Sequence, residues 1–158
     1  MNELSQSAQK VQTALQEMGL PCQVVELPGS TRTAVEAAQA VGCEVGQIVK
    51  SLVFKGGETN RAILVIASGP NRVDETLLAN LANEPIKKAD ADFVRSSTGF
   101  AIGGVPPVGL SNPVLTFIDE DLLQYENVWA AAGTPHAVFQ LNPADLRRIT
   151  GGTVTSIK

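Results

Sequence analysis

The sequence contains very little histidine and cysteine, the side chains that most often hold transition metals or act as paired nucleophile and base. Its one histidine is His136, and its two cysteines, Cys22 and Cys43, lie far apart in the chain. One histidine excludes a histidine-rich metal site, and two separated cysteines make neither a disulfide framework nor a zinc site. No Ser-His-Asp or Cys-His arrangement is recognisable either. We interpret both cysteines as inert thiols.

Long apolar runs and a basic, apolar leader are also absent. No uninterrupted apolar stretch approaches the roughly 20 residues that a transmembrane helix needs. Residues 1–4 lack the pattern of a secretory signal. The sequence therefore predicts a cytoplasmic protein with no membrane partner.

Basic residues are too few for a protein that coats nucleic acid. Twelve lysines and arginines face sixteen acidic residues, which gives a net charge of −4. Because non-specific affinity for DNA or RNA comes from neutralising phosphates, this balance argues against such a role. We expect no DNA partner, while a small local contact with the end of an RNA stays compatible with the charge.

What the sequence does contain is the composition of one globular domain. Its 158 residues are 44% hydrophobic and 18% charged, and we place a single domain over 1–158. Helical and strand patterns are interspersed, and several strands are joined by short turns, which predicts a mixed sheet with helices packed around it. Neither glycine-rich nucleotide-binding fingerprint is present. Helices are expected over 4–18, 34–41, 73–82, 90–99 and 143–150, and strands over 22–27, 48–55, 62–67, 114–118, 128–132, 136–141 and 153–157.

Lys50 is the most informative position. It lies in a strand, 48–54, in which side chains alternate between two faces, so its ammonium group shares a face with Leu52 and Phe54. The charge must reach solvent or meet an anion. Two interpretations remain open: a lysine that extends past its apolar neighbours at an edge strand, or a pocket lysine that binds a phosphate or a developing negative charge.

A second candidate is the loop 103–113, which is rich in glycine and proline. Glycines allow a close approach of the backbone, and such a loop can present N–H groups to an oxyanion. By composition alone, a rigid surface turn is the better interpretation. His136 could donate a hydrogen bond to a substrate, although a lone histidine at the head of a strand is more often structural. The acidic residues 119–121 fit a helix N-terminus and are assigned no chemistry.

These features occur in this order in one known family. With the segments 48–54, 98–109 and 133–136, the chain resembles the YbaK/ProX group of free-standing aminoacyl-tRNA deacylases. That group is similar to the editing domain inserted in bacterial prolyl-tRNA synthetases. The resemblance implies a compact α/β domain with a mixed, curved, barrel-like sheet surrounded by helices. It further implies hydrolysis of a mischarged small amino acid from a tRNA, above all proline tRNA, without a metal or organic cofactor.

The resemblance also implies roles for individual residues. Lys50 would contact the tRNA end, and Gly103 with Gly104 would hold the aminoacyl ester through backbone amides. The attacking water would be oriented by the loop and by a ribose hydroxyl. Ester hydrolysis needs a stabilised oxyanion more than a strong protein base, so the missing histidine pair does not oppose this activity. The expected substrate-binding residues are Ser51, Val105, Pro106, Pro107, Gly133, Thr134 and His136.

The chain departs from one branch of the family. Members that remove cysteine carry a serine and an aspartate where our alignment puts Ala131 and Val138. This departure weakens a cysteinyl specificity and favours alanine, serine, threonine or a related small residue. We expect selection in a small pocket near Ser51 and His136 that admits these residues better than proline.

Two other functions remain as alternatives. One is a non-catalytic module that binds the tRNA end or a synthetase, with prolyl-tRNA synthetase as the partner to consider. The other is a hydrolase for an unrelated small ester, which the net charge of −4 favours. Retention of Lys50 together with the complete loop from Gly103 to Pro107 favours the deacylase.

Overall fold

Helices and strands are interspersed along the chain as predicted. The computed structural model describes residues 4–112 and 114–158, which form five α-helices and an eight-stranded sheet. The helices are α1 (Gln6–Glu17), α2 (Ala34–Val41), α3 (Glu75–Ala82), α4 (Ala91–Thr98) and α5 (Pro143–Thr150). The strands are β1 (Val25–Glu26), β2 (Ile48–Gly56), β3 (Ala62–Ser68), β4 (Ile86–Lys88), β5 (Leu115–Asp119), β6 (Val128–Ala131), β7 (Ala137–Leu141) and β8 (Thr153–Thr155). Short 3₁₀ helices cover Val45–Gln47 and Glu120–Gln124.

The sheet is mixed, which confirms the predicted α/β architecture. Its strand order is β1-β7-β6-β2-β3-β5-β8, and β4 pairs with β2 outside this path. Parallel pairs join β2 to β6, β3 to β5 and β5 to β8, whereas the other neighbours are antiparallel. Tight turns join the antiparallel β2 and β3, while the parallel pairs need the longer connections in which the helices lie.

The central strand β2 is fully paired along one edge and only partly along the other. β3 pairs with it from Val49 to Lys55. On the opposite edge, β6 reaches only Ile48 and Val49, and β4 only Phe54 to Gly56. Residues 50–53 therefore have no strand partner on that side within the described chain, and their backbone polar groups there are open to a ligand.

The two faces of β2 pack into different cores. Val49 and Val53 join the larger core, built around α1 and the buried Phe100 and Phe139. Leu52 and Phe54 join a second core, which covers the other face of the sheet with α3. By alternation, Ser51 points to the side of the larger core and Lys50 to the side of the second.

Helix starts are the best predicted local features. Thr33 and Glu36 form the expected capping box of α2, and the Asn142 side chain accepts from the Asp145 amide at the start of α5. The 3₁₀ helix that follows β5 begins in the acidic run, where the Asp119 side chain accepts from the Asp121 amide. In each case a side-chain oxygen satisfies an amide that the helix itself leaves unpaired.

The strand predicted over 22–27 is much shorter in the structure, where only Val25 and Glu26 pair with β7. The preceding residues bond to a side chain instead. Gln12 donates from its side-chain Nε2 to the Cys22 carbonyl at 3.1 Å, and its Oε1 accepts from the Val24 amide at 2.8 Å. A glutamine of α1 thus satisfies backbone groups that a neighbouring strand would otherwise satisfy.

Other bounds differ less, and β4 was not predicted. This strand has three residues, two of them lysines, and carries no alternating apolar pattern. Residues 1–3, which belong to the segment expected to lack an export signal, lie outside the described residues. So does Pro113, the predicted end of the glycine- and proline-rich loop. Among the described helices, none combines the length and apolar character that crossing a membrane requires.

The turn between β2 and β3 is organised by a buried carboxylate. The Glu84 side chain, 2% exposed, accepts hydrogen bonds from the amides of Glu58 and Thr59, from the Thr59 hydroxyl and from Arg61 Nε. These donors, the Thr59 amide foremost, lower the pKa of Glu84 from 4.5 to about 2. The ionised form is therefore strongly favoured in the folded state.

Substitution Glu84→Gln should lower the melting temperature at neutral pH and have less effect in acid. A carboxyl whose folded pKa is depressed stabilises the protein above its unfolded pKa, and this stabilisation disappears as pH falls from about 4.5 towards 2. Thermal melts by circular dichroism at several pH values between 7 and 2.5 measure the difference from wild type. The control Glu58→Gln changes an exposed side chain of the same turn. Equal deficits at all pH values would contradict the assignment.

Candidate functional site

A cleft of about 910 Å³ opens at the unpaired edge of β2. Its walls come from β2, from β6 and β7, from the segment that leads into α2 and from the glycine-rich loop. The cleft exists because β6 and β4 leave the same edge of β2 unpaired between them. The interruption in the sheet thus places backbone and side chains of 50–53 at a ligand-sized opening.

The charged side chains that line this cleft are all cationic. They are Arg32, Lys50 and Lys88, and no aspartate or glutamate of the described chain lines it. The contrast is marked because the protein as a whole carries a net charge of −4. A concave site with one sign of charge concentrates its field on a ligand of the opposite sign. The cleft therefore suits an anionic ligand.

The Lys50 side chain lines the cleft and is partly buried. Its Nζ donates to the backbone carbonyl of Asn71 at 2.6 Å. Burial lowers the pKa of Lys50, the nearby Arg72 lowers it further, and Asp119 acts in the opposite direction. Of the two interpretations open from the sequence, the structure has the lysine lining a pocket, on the stretch of β2 that no strand covers.

A buried aspartate holds the turn that Lys50 contacts. Asn71 donates from Nδ2 to Asp119 at 2.8 Å and to Asp121 at 2.7 Å. Asp119 is 1% exposed and also accepts from the Ser68 amide at 2.9 Å. The acidic run, to which the sequence analysis gave no chemistry, thus fixes the carbonyl that receives the Lys50 ammonium. A clue was present in its position, since an acidic residue at the end of a buried strand needs buried donors.

The loop after α4 brings backbone amides to the cleft. Gly103 has φ +91°, and a Cβ there would lie 3.3 Å from Cγ and Nε of Arg32. The Gly104 amide donates to the Ala101 carbonyl at 3.1 Å and closes a turn. The amides of Gly103 and Val105 have no acceptor among the described residues, and neither has the amide of Ile102. Because all three residues line the cleft, their amides are candidates to donate to a ligand.

Several predicted site residues support this loop and do not line the cleft. A Cβ on Gly104 would lie 2.8 Å from backbone atoms of Thr134, and the Gly133 amide donates to the Gly104 carbonyl at 2.8 Å. The structure thus packs two predicted segments against each other. Of the ten residues predicted for the site, Lys50, Ser51, Gly103 and Val105 line the cleft, whereas Gly104, Pro106, Pro107, Gly133, Thr134 and His136 do not.

His136 is exposed and tied to the chain around it. Its Nδ1 lies 2.9 Å from the Gly29 carbonyl oxygen, so the tautomer with a proton on Nδ1 donates there. Its amide donates to the Thr134 hydroxyl at 3.2 Å. These contacts join the segment before α2 to the start of β7.

If the chain has the deacylase activity that the family resemblance implies, substitution His136→Ala should slow hydrolysis of every aminoacyl ester by the same factor. The change removes one surface hydrogen bond, which contributes about 0.5–1.5 kcal/mol to stability, and removes no group from the cleft. Deacylation rates for alanyl and seryl esters of one tRNA, together with the melting temperature, measure this. A loss confined to the seryl ester would show that the imidazole contacts the substrate.

Sequence reasoning missed cleft residues that carry no motif. Thr31 and Arg32 come from the segment before α2, Lys88 from β4 and Trp129 from β6. Only the tertiary structure brings these separate elements to one edge of β2. Ala131 and Val138, on which the sequence analysis based its argument against a cysteinyl specificity, also line the cleft and face each other across β6 and β7.

The described residues contain no candidate metal site, and the two thiols among them are not activated as nucleophiles. No group of three histidine, cysteine, aspartate or glutamate side chains in 4–112 and 114–158 is placed to hold a metal ion. Burial raises the pKa of the thiols of Cys22 and Cys43, which keeps both protonated and weakly nucleophilic.

Comparison with known proteins shows which family the chain belongs to. Residues 29–149, which include every cleft residue named above, match the family described as the aminoacyl-tRNA editing domain. The chain belongs to this family. A solved structure described as a candidate trans-editing enzyme for prolyl-tRNA synthetase is 54% identical, with a TM-score of 0.93 over 99% of both chains.

More distant relatives connect the family to proline tRNA. A candidate Cys-tRNA(Pro)/Cys-tRNA(Cys) deacylase of Enterococcus faecalis, EbsC, is 28% identical over 79% of this chain and 76% of its own. The proline–tRNA ligase of a Thermoanaerobacter species is 32% identical over 73% of this chain, but this match spans only 20% of the ligase. Family and relatives together indicate an aminoacyl-tRNA editing role related to prolyl-tRNA editing.

Proposed function

We propose that this protein hydrolyses the ester bond between a wrongly attached small amino acid and the 3′ end of a tRNA, with proline tRNA as its main substrate. The observation that carries the proposal is the cleft at the open edge of β2, lined by cations and free amides in an acidic protein. A phosphodiester end with an ester attached needs both features: positive charge for its phosphate and amide donors for its carbonyl oxygen.

The cationic side chains bind the RNA end. Arg32 offers a planar set of donors that suits a phosphate, and Lys88 adds a second positive charge. Val35 and Ile102 also line the cleft and are 52% and 48% exposed. Exposed apolar side chains at a charged opening provide a surface for the terminal nucleobase or ribose. Contact with the 3′ end alone fits a protein whose overall charge would repel the rest of a tRNA.

The glycine-rich loop stabilises the charge that develops during hydrolysis. The oxygen of a water molecule bonds to the ester carbonyl carbon, and the carbonyl oxygen becomes an oxyanion. The free amides of Gly103 and Val105 donate to that oxyanion. The bond from carbon to the ribose oxygen then breaks, and the ribose oxygen takes up one proton of the water. The other proton passes to solvent, which leaves the amino acid as a carboxylate. Backbone donors need no reorganisation at this step, which makes such stabilisation effective.

The water must be activated without a protein base. No carboxylate or imidazole of the described residues lines the cleft. A ribose hydroxyl of the substrate is therefore the group that orients the water and passes on its proton, as the family resemblance implies. An aminoacyl ester is already reactive, so oxyanion stabilisation carries the greater part of the catalysis.

Lys50 assists through its remaining donors. An ammonium group has three N–H donors, of which one is engaged with the Asn71 carbonyl. The other two are available to the terminal phosphate or to the oxyanion. Asp119 and Asn71 act as positioning residues, because they fix the carbonyl that orients the ammonium.

Deacylation of a panel of aminoacyl-tRNAs tests the proposal. Proline tRNA charged with alanine, serine, threonine, cysteine or proline is incubated with the wild-type protein, with and without prolyl-tRNA synthetase. We expect rapid loss of at least one small mischarged residue and slow loss of proline, since an editing site must spare the correct product.

Two results would overturn the proposal, and they separate the alternatives. Trp129 is the single tryptophan of the chain and lines the cleft, so its fluorescence reports binding. A fluorescence change with tRNA but no hydrolysis would identify a non-catalytic module. Hydrolysis of p-nitrophenyl acetate without any tRNA deacylation would identify a hydrolase of unrelated small esters.

A further inference from the structure

Two buried hydroxyl groups that line the cleft lack a hydrogen-bond partner. Neither Thr31 Oγ1 nor Ser51 Oγ has one among residues 4–112 and 114–158. Thr31 is 7% exposed, and both residues line the cleft. Buried polar atoms without a partner are rare in folded proteins and are costly. Two of them at one site indicate that a ligand supplies the missing partners.

The strand pairing and the loop contacts place Thr31 and Ser51 on neighbouring elements of the cleft. Ser51 points to the face of β2 that Val49 and Val53 share, towards the larger core. The Thr31 amide donates to the Pro135 carbonyl at 2.6 Å, which holds Thr31 beside the start of β7. β7 pairs with β6, and β6 pairs with β2 directly before Ser51.

Three residues of these neighbouring elements in the cleft lining are apolar. Ala131 and Val138 face each other across β6 and β7, and Val105 contributes from the loop. Their side chains offer no hydrogen-bonding group to a ligand. The third hydroxyl in the lining, that of Thr33, is already engaged with Glu36 in the cap of α2.

We infer that Thr31 and Ser51 recognise the side-chain hydroxyl of the aminoacyl group, and that the substrate class of this protein is the seryl or threonyl ester. The inference rests on the proposed function and deepens it. A substrate hydroxyl can donate to one of the two oxygens and accept from the other. Rotation about χ1 lets each protein hydroxyl follow the ligand. An alanyl ester leaves both protein hydroxyls unpaired, which is the situation in which a polar site discriminates most strongly.

The matched variants Thr31→Val and Ser51→Ala remove each hydroxyl with little change of shape. For wild type, we expect kcat/KM for seryl-tRNA to exceed that for alanyl-tRNA at least about tenfold, and the double variant to bring this ratio close to one. Thr116→Val is the control. Thr116 is also buried, but its hydroxyl donates to the Val114 carbonyl outside the cleft, so this variant should keep the wild-type ratio. An unchanged ratio in the double variant would overturn the inference.

A binding measurement separates the inference from the proposed function. Seryl and alanyl groups joined to adenosine through a stable amide bond can bind but cannot be hydrolysed. Titrated against the Trp129 fluorescence of wild type, the seryl compound should bind at least about tenfold more tightly, and the double variant should lose this preference. If wild type hydrolyses no ester but still prefers the seryl compound, the proposed function fails, while recognition of the hydroxyl by Thr31 and Ser51 is supported. Equal affinities for both compounds would refute the inference even in an active enzyme.

Discussion

Replacement of Lys50 by alanine is expected to lower kcat/KM for aminoacyl-tRNA hydrolysis about 100-fold or more, with little change in melting temperature. The substitution removes a positive charge from a cleft in which the described residues contribute two other cations, Arg32 and Lys88. It takes little volume from the core, because the side chain is half-buried and ends at the Asn71 carbonyl. The loss of one donor to a developing oxyanion has an effect of this size. Single-turnover deacylation and thermal melts measure the two quantities.

The matched control is Lys55→Ala. Lys55 lies on the same strand but does not line the cleft, and its Nζ is 5.1 Å from the centre of the Phe93 ring. Its removal should leave deacylation near the wild-type rate. Near-normal activity of Lys50→Ala would contradict a role for Lys50 in the reaction.

The pH profile provides a second test of Lys50. Burial lowers the pKa of this lysine below its usual 10.5, so the ammonium loses its proton at a lower pH than an exposed lysine does. Activity that requires the cation is fully present below that pKa and falls as pH rises through it. We expect an alkaline decline in wild type that is absent from the residual activity of Lys50→Ala. The same decline in the variant would assign it to another group or to the substrate.

Replacement of Gly103 by alanine should also reduce turnover about 100-fold. At φ +91° an alanine is strained by about 1–2 kcal/mol, and its Cβ would lie 3.3 Å from the Arg32 side chain. The strained φ favours a shift of the loop, because the contact with Arg32 alone could be relieved by that flexible side chain. A shifted loop would move the amides of Gly103 and Val105 from the positions from which they are proposed to donate. The rate constant of the chemical step, measured with saturating enzyme, reports this loss separately from binding.

Gly109→Ala is the control for Gly103→Ala. Gly109 belongs to the same loop, has φ +74° and would place a Cβ 3.2 Å from the Cβ of Ala14, away from the cleft. Both variants should lose a similar amount of stability, but only Gly103→Ala should lose turnover. If activity in the two variants falls only in step with melting temperature, the loop has a structural role alone.

Local features of the chain were open to prediction from sequence. The capping box at Thr33 and Glu36, the cap at Asn142 and the alternation of β2 each depend on residues close in sequence. The mixed architecture was also predictable, because short turns between some strands and helices between others are compatible with few other arrangements. The motifs at Lys50 and at the glycine-rich loop were sufficient to identify the family.

Contacts between residues far apart in sequence determine the features that the sequence did not predict. Gln12 replaces a strand partner for residues near Cys22, and β4 exists only because β2 offers it an edge. The positions of glycine and proline in the sequence do not show which amides of the loop lack a hydrogen-bond acceptor. The structure decides this, because the Gly104 amide closes a turn with Ala101 while those of Gly103 and Val105 do not.

The sequence by itself determined the fold class and the family, and it pointed to the two segments proposed to act in the reaction, because helix caps, strand alternation and short motifs are properties of neighbouring residues. Only the tertiary structure decided what the cleft contains. It brings Thr31, Arg32 and Lys88 to the unpaired edge of β2, leaves His136 outside the lining and gives Asp119 a place beneath Lys50. The contents of the cleft depend on where the pairing of β6 and of β4 with β2 ends. No local sequence pattern encodes these positions, because they result from the packing of the whole sheet.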